Sequence, residues 1–295
     1  MRHWITAVKQ KYSVQFILCL LRRYNIHDVA QQGAALAYYL LFSLFPTLIL
    51  VSSLVSQLEL DLSGLLNTIA PILPEGVLAL TTAYLGYVSE HASVSMLCFS
   101  AVFSVWFPMR ATGCLMRAVR RAYDLGIPKN RIRDTFKILF FTVLLLFSLM
   151  LTLFLMTLGA RFISALENLF ALPVYLSSVW GPLRFAVLGS VVFIALSALY
   201  AAAHSVRCPL RAILPGAAIS TFAWIVISFG YSFYVENISN YSAIYGALGA
   251  VVVLLIWLYL TSLTLIMGAE INDILLHART RSAQRNERFD QGGSK

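Results

Sequence analysis

The sequence predicts an all-α integral membrane protein with six transmembrane helices, both termini in the cytoplasm and an amphipathic helix at the amino terminus. Three observations carry this. Of 295 residues, 59% are hydrophobic and only 12% are charged, about half the charge of an ordinary soluble domain. The apolar residues are gathered into six blocks of roughly the twenty residues that cross a bilayer. If each block is taken as a crossing, all of the 22 lysines and arginines except Arg161 and Arg184 fall on one side.

The chain divides into a cytoplasmic amphipathic segment (1–33), a membrane domain (34–270) and a basic cytoplasmic tail (271–295). In the first segment Lys9, Lys11, Arg22 and Arg23 alternate with Val8, Tyr12, Phe16, Ile17 and Leu20. This pattern suits either a helix lying in the membrane face or a solvated helix packed on the bundle. Runs without Asp, Glu, Lys or Arg then set the spans at about 34–57, 92–110, 138–160, 183–203, 212–235 and 244–269. They must be helices, because backbone polar groups in hydrocarbon have to pair within the segment. Residues 168–183 are apolar but punctuated by Pro173, Gly181 and Pro182. Tyr175 and Trp180 suit an interfacial stretch at headgroup level, so this piece is read as interfacial rather than as a seventh span.

Orientation follows from the charges. Basic residues flank span one, separate spans two and three from Arg110 to Lys137, separate spans four and five, and follow span six. The opposite loops carry Glu59, Asp61, Glu75, Glu90, Glu167 and Glu236. The positive-inside rule makes the basic side cytoplasmic. Residues 59–91 then form an external segment in which Pro71 and Pro74 separate two stretches of helical apolar spacing.

Several function classes fall away. The net charge of +9 is spent beside apolar spans, where it serves insertion and anionic headgroups rather than nucleic acid. Cys19, Cys98, Cys114 and Cys208 lack the paired spacing of a zinc site, and the expectation for them is small buried hydrophobes. No cleaved signal peptide is read at the amino terminus, where the apolar stretch is short and ends in Arg22-Arg23. The histidines at 3, 27, 91, 204 and 277 make no two-histidine motif, and there is neither a G-x-S-x-G elbow nor a P-loop. The reading is therefore not an enzyme, with no cofactor and no metal.

Five places carry candidate roles. In span one, Gln32, Ala35, Tyr39, Ser43 and Pro46 share a small or polar face that either lines a substrate path or binds neighbouring helices. In span six, Gly246, Ala250, Trp257, Thr261, Thr264 and Gly268 fall on one stripe, a helix-packing seam in which the threonines hydrogen-bond across the contact. At the end of that helix Glu270, Asp273 and His277 are expected to form a solvated helix end, with Glu270 also able to pair with Arg110. Arg110 itself follows Trp106-Phe107-Pro108 at the inner edge of the shortest span. It either snorkels to the cytoplasm or holds an anionic headgroup. Pro215-Gly216 marks a break in span five that exposes backbone groups.

Two passages, GAALAYYLLFSLFP (33–46) and YSAIYGALGAVVVLLIWLYLTSLTLIMGAEIN (241–272), resemble the YihY/BrkB family of bacterial inner-membrane proteins, once labelled ribonuclease BN-like. The resemblance covers roughly Tyr24 to His277. It implies a six-span protein with a role in envelope integrity or transport, and it supplies no catalytic residues. Two functions are expected from these features. One is a translocator of an anionic lipid or other amphiphile, using Arg110 and the Gln32, Tyr39 and Ser43 face with Glu270. The other is a non-transporting scaffold that holds an envelope protein partner.

Overall fold

The computed structural model describes residues 15–57, 82–83, 94–128, 130–148, 175–203, 210–237 and 247–292. Among them the structure is helical throughout. Helix α1 covers 15–26 and α4 covers 131–148. The others are α2 (Val29–Gln57), α3 (Val94–Ala122), α5 (Tyr175–Ala203), α6 (Leu210–Asn237) and α7 (Ala247–Gly292). Four helices are long and apolar enough to cross a membrane, within Val29–Leu50, Ala186–Ala203, Leu210–Val235 and Leu248–Ala278. They coincide with spans one, four, five and six. The third span, 138–160, is described only to residue 148, where α4 stops being described.

Several boundaries differ from the sequence reading. Helix α2 begins at Val29 rather than 34, because Asp28 caps it. Asp28 adopts a left-handed φ of 50°, a conformation aspartate tolerates better than most residues, and its carbonyl accepts from Gln32 N–H at 3.0 Å. Span two does not end at 110. Helix α3 continues to Ala122 through Pro108 and four arginines. It closes where Asp124, also at φ 50°, turns the chain back so that Leu125 N–H reaches Arg120 O at 2.8 Å, a C-terminal capping geometry. Part of the interfacial segment is helical too, since α5 starts at Tyr175 and runs unbroken into the fourth span.

Span five is likewise unbroken. Pro215 lies inside α6, which is continuous from Leu210 to Asn237. Proline near a helix start displaces few backbone hydrogen bonds, and Asn272 of α7 bridges the site from outside. Its amide donates to Ile213 O at 2.7 Å and accepts from Gly216 N–H at 2.6 Å.

Helix α7 is the axis of the bundle, packed against α6, α2 and α3, while α2 pairs most extensively with α3. The α2–α3 pair is antiparallel: Arg121 contacts Asp28, Cys114 reaches Gln32 O, and Phe107 meets Phe42. The core at one end gathers Leu36, Met116, Val119, Leu199, Tyr200, Ile213 and Ile266 from five helices. A second cluster joins Ala37 and Leu41 to Leu254 and Leu258. Large side chains such as Phe222, Phe229, Phe140 and Phe147 are turned outward, as expected where the surrounding solvent is hydrocarbon. Helix α1 presents Ile17, Leu18 and Leu21 away from the bundle, consistent with an amphipathic helix at a membrane face.

Candidate functional site

The predicted packing seam of α7 is realised at one end only. Gly268 is the point where α7 crosses α6. A Cβ there would overlap Ser220 Oγ and stand 2.7 Å from Tyr200 Oη and 2.9 Å from Gly216 O. A Cβ on Gly216 would in turn overlap the Gly268 carbonyl oxygen. Two glycines facing each other let the backbones meet. Thr264 is buried beside them, but Ala250, Trp257 and Thr261 are only half-buried, and Gly246 lies outside the described residues. The threonines do not bridge the contact. Thr264 Oγ1 donates to Leu260 O in its own helix, and the enclosed Thr261 hydroxyl has no partner among the described residues. Cross-helix bonds come instead from Ser220 to Thr264 O at 2.8 Å, Tyr231 to Val253 O at 2.7 Å and Trp257 to Ser228 at 3.3 Å.

The cysteine expectation holds for Cys114, which is buried, but not for Cys19 and Cys98, which are exposed; Cys208 lies outside the described residues.

The stretch of α7 around Glu270, which the sequence reads as a solvated helix end, is neither an end nor solvated: α7 runs on to Gly292, and these side chains are enclosed. Glu270 and Asn272 are 0% exposed and Asp273 is 2% exposed. Glu270 pairs with α1 and the turn after it, not with Arg110. Arg23 Nη1 stands 3.2 Å from Glu270 Oε2, and Arg23 Nη2 stands 2.6 Å from Asp273 Oδ2. The His27 Nδ1 lies 2.6 Å from Glu270 Oε1. The Arg23 guanidinium also donates to Ala122 O at 3.0 Å, so one side chain ties α1 to the end of α3 and to the middle of α7. His277 alone is exposed, 3.1 Å from Asp273 Oδ2. Burial pulls the Arg23 pKa down, but Asp273 and Glu270 outweigh it and the net shift is upward. Its stabilising charge is therefore present at every pH below the ordinary arginine value and lost only as pH rises through the raised one.

A second buried guanidinium sits on the other side of α3. Arg120 bonds Asp134 of α4 and donates to Ala203 O at the end of α5 at 3.3 Å. Enclosed charges need partners, and each of the two guanidiniums has at least one carboxylate and one backbone carbonyl.

The predicted polar face of α2 is dispersed. Gln32 turns to the His27 carbonyl, Ser43 is buried and donates to Leu40 O at 2.6 Å, and Thr47 donates to Ser43 O at 2.7 Å. Ala35 is exposed, and Pro46 is buried. Tyr39 is half-buried and lies beneath Arg110, whose guanidinium carbon stands 6.0 Å from the Tyr39 ring centre and 5.6 Å from that of Trp106. Arg110 is exposed and makes no ion pair among the described residues. Its level in the bundle matters. Tyr39 is ten residues into the apolar span Val29–Leu50, roughly 15 Å along the helix. Arg110 is thus an outward cation beside two aromatic faces at the level of an uncharged helix, a combination worth about 1 kcal/mol as cation–π contact and far from sufficient to solvate a charge in hydrocarbon.

Sequence reasoning singled out Arg110 and Glu270 but missed Arg23, His27 and Arg120 as buried groups. Arg23 and Glu270 are 247 positions apart, and nothing local marks either as the other's partner.

Comparison with known proteins is consistent across the chain. A family model described as virulence factor BrkB matches residues 20–291. The chain is similar to a ribonuclease-like protein, YfkH, of Bacillus subtilis (strain 168), 31% identical over 273 residues, covering 92% of this chain and 99% of that protein. It is 29% identical over 280 residues to a UPF0761 membrane protein of Alkalilimnicola ehrlichii, covering 92% of this chain but spanning only 61% of that longer protein. A UPF0761 membrane protein of Xanthomonas campestris pv. campestris (strain B100) matches over 68 residues at 40% identity, 23% of this chain and 16% of that protein. No solved structure matches. Apolar helices able to cross a bilayer and a family match over nearly the whole length lead to one conclusion: the chain is a membrane protein and belongs to the virulence factor BrkB family.

Proposed function

We propose that the protein moves an anionic amphiphile between the leaflets of a bacterial inner membrane, with both termini cytoplasmic, and that Arg110 engages the headgroup. One observation carries this reading: Arg110 is exposed and without an ion pair among the described residues, at the level of an uncharged span. A bare guanidinium there is costly. A lipid phosphate supplies the missing counter-charge through a pair of charge-assisted hydrogen bonds. Tyr39 and Trp106, with the exposed Tyr38 and Phe42 nearby, surround the guanidinium with aromatic faces. The Gln32 and Ser43 hydroxyl and amide groups are satisfied within the bundle and drop out of the route, as does Glu270.

A non-transporting scaffold is the competing function. Its sequence motive was the small-residue seam of α7, but Gly268 is occupied by α6 of the same chain, which leaves the external segment 59–91 as its partner surface. Native mass spectrometry separates the two. Protein extracted gently and offered phosphatidylglycerol and phosphatidylethanolamine should retain the anionic lipid preferentially, and Arg110→Gln should abolish that preference while membrane insertion is unchanged. Equal retention of both lipids by the unaltered protein, together with crosslinks from residues 59–91 to another envelope protein, would favour the scaffold.

A further inference from the structure

On the side of the bundle where α6 meets α7 there is a groove of about 280 Å³, open along one side. Its walls are Ile219, Ala223 and Ile227 from α6 and Leu260, Leu263 and Met267 from α7. It is apolar for a specific reason. The two hydroxyl side chains in its floor are turned into the protein, Ser220 to Thr264 O and Thr264 to Leu260 O. Polar residue types therefore present only carbon to the groove. The close approach at Gly216 and Gly268 narrows one end, and Tyr24 of α1, next to the Arg23 that is fastened to Glu270 and Asp273, also lines the groove. From Leu260 to Ile271 the groove follows α7 for roughly 16 Å, a long and narrow shape.

Both walls belong to helices apolar enough to cross the membrane, and the neighbouring Phe222, Val226 and Phe229 are turned outward. The open side is thus continuous with the surface that the bilayer covers. Water is absent at that depth, so an apolar occupant fills the space, and lipid hydrocarbon is what surrounds these helices. We infer that the α6–α7 groove is an acyl-chain site, which holds one fatty chain of a bilayer phospholipid lengthwise. The site is separate from Arg110, which lies between α2 and α3, and does not depend on transport.

The position of Tyr24 links the site to α1. The next residue along, Arg23, is held by Glu270 and Asp273, so the ion pairs that fasten α1 to α7 also hold Tyr24 in the lining of the groove.

The test is photolabelling of the full chain in nanodiscs of phosphatidylethanolamine and phosphatidylglycerol, with a diazirine placed midway along one acyl chain of either lipid. Label mapped residue by residue should concentrate on Ala223, Leu260, Leu263 and Met267 over the outward Phe222 and Phe229. Ala223→Trp, which fills the groove, should lower the label at the other wall positions at least fivefold, whereas Phe222→Trp on the outer face should leave it unchanged. Ala223→Phe provides the same test with less bulk, and the map of the unaltered chain stands without any variant. Label spread evenly over groove and outer face, unaffected by Ala223→Trp, would overturn the proposal as ordinary surrounding lipid. Chain-to-chain crosslinks through the same wall residues, with no lipid label there, would overturn it in favour of a second copy occupying the groove.

Discussion

Replacing Gly268 with alanine adds one methyl group at the tightest crossing in the bundle. That carbon overlaps Ser220 Oγ and stands 2.9 Å from the Gly216 carbonyl oxygen. Ser220 can rotate away, but the Gly216 oxygen is backbone, so α6 itself must recede. Overpacking of this kind costs about 1–3 kcal/mol. Recession also loosens Ser220 to Thr264 O and Tyr200 to Leu265 O, each worth about 0.6 kcal/mol between membrane helices. Alanine returns about 0.8 kcal/mol through its better helix propensity. The net expectation is a loss of about 2 kcal/mol. Gly230 is the control, since a Cβ there meets nothing within 4 Å and alanine should be neutral or stabilising by up to about 1 kcal/mol. Equilibrium unfolding in mixed micelles with increasing dodecyl sulfate reads both. Stabilities for Gly268→Ala and Gly230→Ala that agree within about 0.5 kcal/mol would refute the crossing.

Other perturbations follow from the buried charges and the topology. Glu270→Ala removes one of the two carboxylates that hold Arg23 and should destabilise by about 2 kcal/mol in the same unfolding assay, while Arg23→Met, which strands both Glu270 and Asp273, should cost more, about 3 kcal/mol or above. Arg120→Met leaves Asp134 and the Ala203 carbonyl without their donor and should cost about 2 kcal/mol, with thiol labelling of a cysteine at Leu199 rising as the core loosens. A cysteine at Ser282 should resist a membrane-impermeant thiol reagent in intact spheroplasts and one at Ser63 should react; the reverse pattern would invert the topology.

The parts of this fold that the sequence made legible are those governed by the solvent. Uncharged runs located the helices α2, α5, α6 and α7, because a bilayer forbids charge over a fixed length. Ends were less legible. Helix α3 outruns its apolar stretch because backbone hydrogen bonding continues wherever arginines can reach partners, and Arg120 reaches Asp134 and Ala203. The apparent break at Pro215-Gly216 is repaired by Asn272, a residue 56 positions beyond Gly216 that no local pattern connects to it. Glu270 and Asp273 read as a solvated end because they precede arginines in a basic tail. Their burial depends on Arg23 and His27 folding back from the opposite terminus. Of the site residues, Arg110 was conspicuous as a charge after Trp106-Phe107-Pro108, but its orientation over Tyr39 required the antiparallel pairing of α2 with α3. The groove gave no sequence signal at all, since its polar floor becomes apolar only when Ser220 and Thr264 turn inward.

The most direct measurement of the central claim is lipid movement between leaflets. Purified protein is reconstituted into vesicles of phosphatidylethanolamine and phosphatidylglycerol containing a trace of fluorescent phosphatidylglycerol, and the label reached by an impermeant quencher is followed in time. The account predicts faster movement than in protein-free vesicles, slowed about tenfold or more by Arg110→Gln, in line with the loss of one charge-assisted contact of about 1.5 kcal/mol. It also predicts that Arg110→Lys retains part of the rate. Movement no faster than in protein-free vesicles, or acceleration that Arg110→Gln leaves intact, would contradict it.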